Sequence, residues 1–93
     1  MIFEWDEEKN KKNRKKHGIW FEEAKSVFED DMAKVFLDEK NASSEERFLI
    51  IGNNASGDNL LVVHCYRRND EIIRIISARK TTKKERGIYE EGI

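Results

Sequence analysis

Between Trp5 and Ile19 the chain carries no apolar side chain. From Ile19 onward apolar residues return, first at helical and then at strand-like spacing. The apolar-free stretch nevertheless has the punctuation of a helix. Asp6 is a good N-cap, Glu7 and Glu8 fill the first turn, Lys15, Lys16 and His17 the last, and Gly18 follows as a terminating residue. Acid first and base last suits the helix dipole, and Glu7/Lys11 and Glu8/Lys12 are pairs in the better orientation. A helix over 6–17 is therefore predicted, with the stripe Asp6, Asn10, Asn13 and His17 turned inward. Trp5 and the stems of Lys9 and Lys16 would cover its apolar edge.

The segment "IWFEEAKSVFED" is a more ordinary helix, with Phe21, Ala24, Val27 and Phe28 at 3.6-residue spacing. Four strand-like runs follow at 33–38, 47–53, 59–66 and 71–79, rich in β-branched and apolar residues. "NASGD" and "RRND" read as hairpin turns. Thr81 or Thr82 can cap a last helix, and a cap at Thr82 with Glu85 makes a capping box. Short connections make the four strands antiparallel. The expectation is one α+β domain over 1–93: two N-terminal helices, a four-stranded antiparallel sheet, and a C-terminal helix. The helices would cover one face and leave the other partly open.

Composition changes this picture in one respect. The chain has 93 residues, 38% apolar and 40% charged, with a net charge of −1. That near-neutral total hides basic blocks at 9–17 and 79–86, the second interrupted only by Glu85. Like charges at i,i+4 repel by about 0.2–0.5 kcal/mol per pair, and an anionic ligand relieves them. Two such blocks in a small domain suggest a polyanion, most commonly nucleic acid, although a solvated helix held by its caps accounts for the first block alone. Cys65 is the only cysteine, which excludes an intramolecular disulfide and fits a reducing cytoplasm. No apolar run approaches the roughly 18–20 residues of a membrane span. The N-terminus lacks the order of a signal peptide.

The last hairpin holds the sharper chemistry. Arg74 sits among isoleucines in "EIIRIISAR", an expensive place for a guanidinium unless it meets an anion or a wet face. Arg67 and Arg68 lie at the turn and Arg79 near the strand end. An arginine cluster on a sheet face suits phosphate. Register decides what converges. A two-residue turn at Asn69-Asp70 sets Cys65 opposite Arg74. A three-residue turn sets Tyr66 opposite Arg74 and His64 opposite Ile76. The second is preferred, because it leaves Leu61, Val63, Cys65, Ile73 and Ile75 for the core. His17 and His64 lack metal-ligand spacing, so neither a metal nor another cofactor is expected. His17 reads as a residue that caps its helix or packs on the sheet. His64 is as easily a core residue as a catalytic one.

At this point the sequence resembles a known family. "FEWDEEKNKKNRKKHGIWFEEA", "ERFLIIG", "RIISARKTTKKER" and Tyr89-Glu90 are similar to the BrnT toxins of bacterial type II toxin–antitoxin systems. The similarity covers nearly the whole chain, and "EDDMA" departs from it where relatives often carry Asp-Pro. The resemblance implies a RelE-like fold, RNA cleavage, and neutralisation by a BrnA-like antitoxin with a ribbon-helix-helix domain. It also implies a toxin–antitoxin hetero-oligomer that represses its own operon through the antitoxin.

RNA can be cut without metal when its own 2′-OH attacks the adjacent phosphate. Such a site must take a proton, give one to the 5′ oxygen and stabilise a phosphorane. The candidates are Arg74 and Arg79, supported by Arg67, for the phosphorane, and Glu46 or His64 for the base. Tyr66 would stack on a base or orient the phosphate. Lys9, Lys12, Lys16, Lys80 and Lys83 would track the backbone. A binding module without catalytic activity explains the basic helices and arginines equally well.

Overall fold

The computed structural model describes residues 1–39 and 46–91. The chain runs β1 (Ile2–Glu4), α1 (Glu7–His17), α2 (Phe21–Ala24), a 3-10 segment (Lys25–Glu29), β2 (Lys34–Leu37), β3 (Phe48–Asn53), β4 (Asn59–Arg67), β5 (Ile72–Lys80) and α3 (Lys83–Glu90). The five strands form one sheet in the order β1-β5-β4-β3-β2. Four of them are the expected antiparallel strands. β1 was not expected. It pairs parallel to β5, with Phe3 beside Ile73 and Glu4 beside Arg74, so the sheet is mixed. Three residues ahead of a helix cap are too few for a strand period to show.

α1 forms as its caps dictate. Asp6 accepts from the backbone N–H groups of Glu8 and Lys9. Gly18 takes φ 76°, a left-handed conformation cheap only for glycine, and donates to the Arg14 carbonyl. With no apolar face, the helix is seated by two buried asparagines. Asn13 Oδ1 accepts from the Ala78 N–H at 3.1 Å, and its Nδ2 donates to the Ala78 carbonyl at 2.8 Å and to the Ile19 carbonyl at 2.9 Å. The amide thus satisfies the outer edge of β5 where β1 has ended, as a neighbouring strand would. Asn10 Oδ1 accepts from the Phe21 N–H at 2.7 Å, and its Nδ2 donates to Glu7 and Glu22. Of the stripe chosen from the sequence, Asn10 and Asn13 dock the helix, whereas Asp6 is exposed and His17 only half-buried.

Ile19, Phe21, Ala24 and Val27 close over Ile50, Leu60, Val62, Ile73, Ile75 and Ala78. The predicted second helix tightens after Ala24 into the 3-10 segment. The tighter winding keeps Val27 in the core while Ser26 Oγ accepts from Ala55 N–H and Asp30 accepts from Asn53 N–H. Gly52 permits this approach: a Cβ there would stand 2.9 Å from the Ala33 Cβ.

Two expectations about register and layering are corrected. The β4–β5 turn spans Arg68–Glu71, with Arg68, Asn69 and Asp70 at positive φ, and Cys65 lies opposite Arg74. The preferred three-residue turn is therefore not used. A bulge shifts the register instead, since Val63 pairs with Ser77 but His64 with Ile75, leaving Ile76 extra. The turn register pairs Tyr66 with Ile73 and His64 with Ile75, so Leu60, Val62, His64 and Tyr66 face the helices, rather than Leu61, Val63 and Cys65. The strand is apolar on both faces, so its pattern did not fix which face is inward. The helices also do not all share one face. Glu85 of α3 reaches Arg79, which shares the opposite face with Leu61, and Lys34 donates to the Ile88 carbonyl. Thr82 and Glu85 cap this helix reciprocally, as expected. Among the described residues no helix is long and apolar enough to cross a membrane.

Removing the Asn13 amide leaves both polar groups of a β5 residue and one carbonyl without partners. Asn13→Ala is expected to lower unfolding stability in urea by about 2–4 kcal/mol, against less than about 0.5 kcal/mol for Lys11→Ala on the solvent side of the same helix. Equal small losses would show that the amide bracket does not seat α1.

Candidate functional site

The helix seated by Asn13 leaves a groove between itself and β5. Lys9, Lys12 and Lys16 line one wall, His17 closes its C-terminal end, and Ile76 and Ser77 at the bulge form the other wall, enclosing about 200 Å³. Positions i, i+3 and i+7 share one side of a helix, so α1 puts these three ammonium groups in a row. Lys11 has Glu8 at 4.0 Å, whereas Lys9, Lys12 and Lys16 join no ion pair among the described residues. Three cations without an acidic partner among the described residues, set beside β5, have the charge and spacing that suit phosphate oxygens. Partial burial, then Lys16, then Arg79 hold the His17 imidazole below its ordinary pKa. Its ring makes no hydrogen bond within the described residues.

The arginines do not form the single patch expected of them. Arg74 donates to Glu4 at 2.9 Å and Arg67 lies 3.4 Å from the same oxygen, gathered where β1 meets β5. Arg79 stands opposite Leu61, five residues along β5, and holds Glu85 with two parallel bonds of 2.7 and 2.9 Å. At about 3.3 Å per residue the two groups are separated by roughly 15 Å along the strand. The cause is the newly seen β1, which brings Glu4 to Arg74, and the capping residue of α3, which serves Arg79 as well. α1 begins just after Glu4 and its last residue, His17, lies near Arg79, so Arg67 and Arg74 sit with Glu4 beyond the N-terminal end of α1 and Arg79 sits by its C-terminal end. Lys80 and Lys83 follow Arg79, both exposed.

His64 is fully buried, with ring contacts to Phe28 at 4.8 Å and Tyr66 at 5.3 Å, and its Nδ1 faces the Val62 carbonyl. Burial lowers its pKa. A neutral ring sealed in an aromatic cluster cannot reach a substrate, so the structure replaces its candidate catalytic role with a core role. Tyr66 is half-buried and packs in T-shaped contacts with Phe48 and His64, away from the lining of the basic groove. Burial first, and Asp70 second, raise its phenol pKa. Glu46 is exposed just before β3, outside the basic groove.

A second, larger groove of about 510 Å³ lies on the face that α3 borders. Its floor is Leu49, Leu61 and Val63, and its rim includes Asp38, Glu39 and the paired Arg79 and Glu85. An apolar floor under an acidic rim disfavours a polyanion. Among the described residues no three His, Cys, Asp or Glu side chains converge to hold a metal ion. Sequence reasoning missed His17 as a groove residue. Its spacing from Asn13 and adjacency to Lys16 were the available signal, but the groove's other wall includes the bulged Ile76, which no sequence pattern announces.

Comparison with known proteins bears on this geometry. A family model described as the ribonuclease toxin BrnT of type II toxin–antitoxin systems matches residues 5–85. Among solved structures, the 1.1 Å crystal structure of the Brucella abortus ribonuclease toxin BrnT superposes with a TM-score of 0.66 at 24% identity, covering 89% of this chain and 100% of that one. At that identity the likeness establishes the shared fold. No curated protein matches the chain.

The Arg79–Glu85 pair gives a pH signature. Hydrogen bonding to Arg79 leads the causes that hold the Glu85 carboxyl down at about 2, from 4.5. Its stabilising contribution is therefore complete above 4.5 and declines as pH falls toward about 2. Glutamine at this position keeps the cap geometry but not the charge. Urea titrations of wild type and Glu85→Gln should show a stability gap at neutral pH that narrows below 4.5; a gap independent of pH would refute the charged pairing.

Proposed function

We infer from one premise, that the chain belongs to the BrnT family of ribonuclease toxins of type II toxin–antitoxin systems, that it cuts RNA bound along the groove between α1 and β5. The observation that carries this reading is the row of Lys9, Lys12 and Lys16, which has no acidic partner among the described residues and faces a concave wall. The larger groove offers phosphate only Arg79, already held by Glu85 between other acids. The cleavage is endonucleolytic and independent of metal: the 2′-OH attacks the adjacent phosphate, leaving a 2′,3′-cyclic phosphate and a 5′-hydroxyl. Arg79, pre-oriented by Glu85, stabilises the phosphorane at the C-terminal end of α1. Arg74 and Arg67 at the other end, with Lys80 and Lys83 beyond Arg79, hold flanking phosphates. α1 has 11 residues and is about 16 Å long, so a few nucleotides span it.

Type II membership supports a protein antitoxin as partner. In this reading it is a BrnA-like ribbon-helix-helix protein, and the hetero-oligomer binds operator DNA through it in the cytoplasm. The fold is read as RelE-like.

The test is to incubate purified protein with single-stranded RNA in EDTA. Fragments ending in 2′,3′-cyclic phosphate are expected. Replacing both Lys12 and Lys16 by alanine should weaken binding and reduce the slope of log affinity against log salt by about 1.4, at about 0.7 per phosphate contact. Intact RNA with tight, salt-sensitive binding would make the chain a non-catalytic binding module. An unchanged salt slope would remove RNA from this groove.

A further inference from the structure

The proton acceptor of the groove can be found by elimination. Lysine ammonium groups are charged at neutral pH and accept no proton. The Ser77 hydroxyl is not a base at neutral pH. Asn13 is committed to the backbone of Ala78 and Ile19. Glu85, the nearest acid to Arg79, is bound by it twice and is too weak a base in that state. His64 is sealed in the core. Among the described residues that line the groove His17 remains: half-buried at its end, its ring nitrogens unbonded, with lysines along one side.

We propose that His17 is the general base of this site, taking the 2′-hydroxyl proton of an RNA strand laid along Lys9, Lys12 and Lys16. The proposal rests on the reading of the chain as a ribonuclease and adds to it the reacting group. A neutral ring nitrogen accepts the 2′-hydroxyl proton as the O2′–P bond forms and the P–O5′ bond breaks. The departing 5′ oxygen takes a proton from a groove ammonium, Lys12 or Lys16. That lysine regains a proton from solvent, and the imidazolium releases its own. No oxidant, reductant or metal enters the balance. The surroundings favour the base form. The charged groups that act on the ring are Lys16 on α1 and Arg79 on β5, with Glu85 of α3 bound to Arg79 and Lys9 and Lys12 farther along the same groove. Partial burial first, then Lys16 and Arg79, oppose protonation of the ring, so it is ready to accept a proton at neutral pH.

His17→Gln retains a good helix former in the last turn. Single-turnover cleavage should fall by about 10²–10³-fold, while affinity for an RNA carrying 2′-deoxyribose at the cleaved position changes less than about threefold. The wild-type rate should rise with pH to a plateau through a midpoint below 6.5, and the variant should lack that limb. In His17→Ala, added imidazole should restore part of the rate. Circular dichroism and the melting temperature monitor folding of both variants. If wild type cuts RNA and His17→Gln cuts within threefold of it, the base lies elsewhere while the ribonuclease reading stands. If the loss tracks unfolding and imidazole restores nothing, His17 is structural and the proposal falls. A wild type that cuts no RNA at all instead sinks the ribonuclease reading.

Discussion

The three hydrogen bonds of Asn13 decide how this small domain is put together. A helix normally docks by burying apolar side chains, and α1 has none between Trp5 and Ile19. Asn13 instead presents an amide to the N–H and carbonyl of Ala78, completing the outer edge of β5 in the place a further strand would take. Asn10 performs the same service at the start of α2. Both amides are buried, so each bond is made in surroundings where leaving a backbone group unpaired is costly. Because docking is polar and narrow, the remainder of α1 is free to carry charge. An apolar docking stripe would have claimed some of the positions now held by lysine.

Charge is then sorted by location. Where arginine meets the sheet, it is matched: Glu4 serves Arg67 and Arg74, and Glu85 serves Arg79. Where lysine lines the α1–β5 groove, no acid answers it among the described residues. A paired arginine keeps its fork oriented at the cost of part of its field. An unpaired lysine row keeps its field and is paid for by like-charge repulsion, which bound phosphate removes. The bulge at Ile76 contributes the opposite wall, so the site depends on a local irregularity in β5 as much as on the helix.

Much of this was legible in the chain. The caps of α1 and α3, the four main strands and the inward stripe of Asn10 and Asn13 follow from residue chemistry at known spacing. The family followed from motifs spread over nearly the whole sequence. What was not legible has a common cause. β4 is apolar on both faces, so its pattern could not say whether His64 or Cys65 faces the helices; the turn register that pairs His64 with Ile75 settles this, and the bulge beyond it at Ile76 has no sequence signature of its own. β1 is too short to show a period, which hid the partner of Arg74. The arginine cluster was inferred as though the strand were isolated. Glu4 and Glu85, from distant parts of the chain, divide it into two.

The central claim is that the basic helix, held edge-on to β5, is where RNA binds, and that the larger apolar groove bordered by α3 is not. Amide NMR of the protein titrated with a 2′-deoxy-substituted, uncleavable RNA tests this directly. The account predicts shifts concentrated at residues 9–17 and 76–80, with Leu37, Leu49 and Leu61 unmoved. Shifts centred on Leu37, Leu49 and Leu61, with α1 silent, would contradict it.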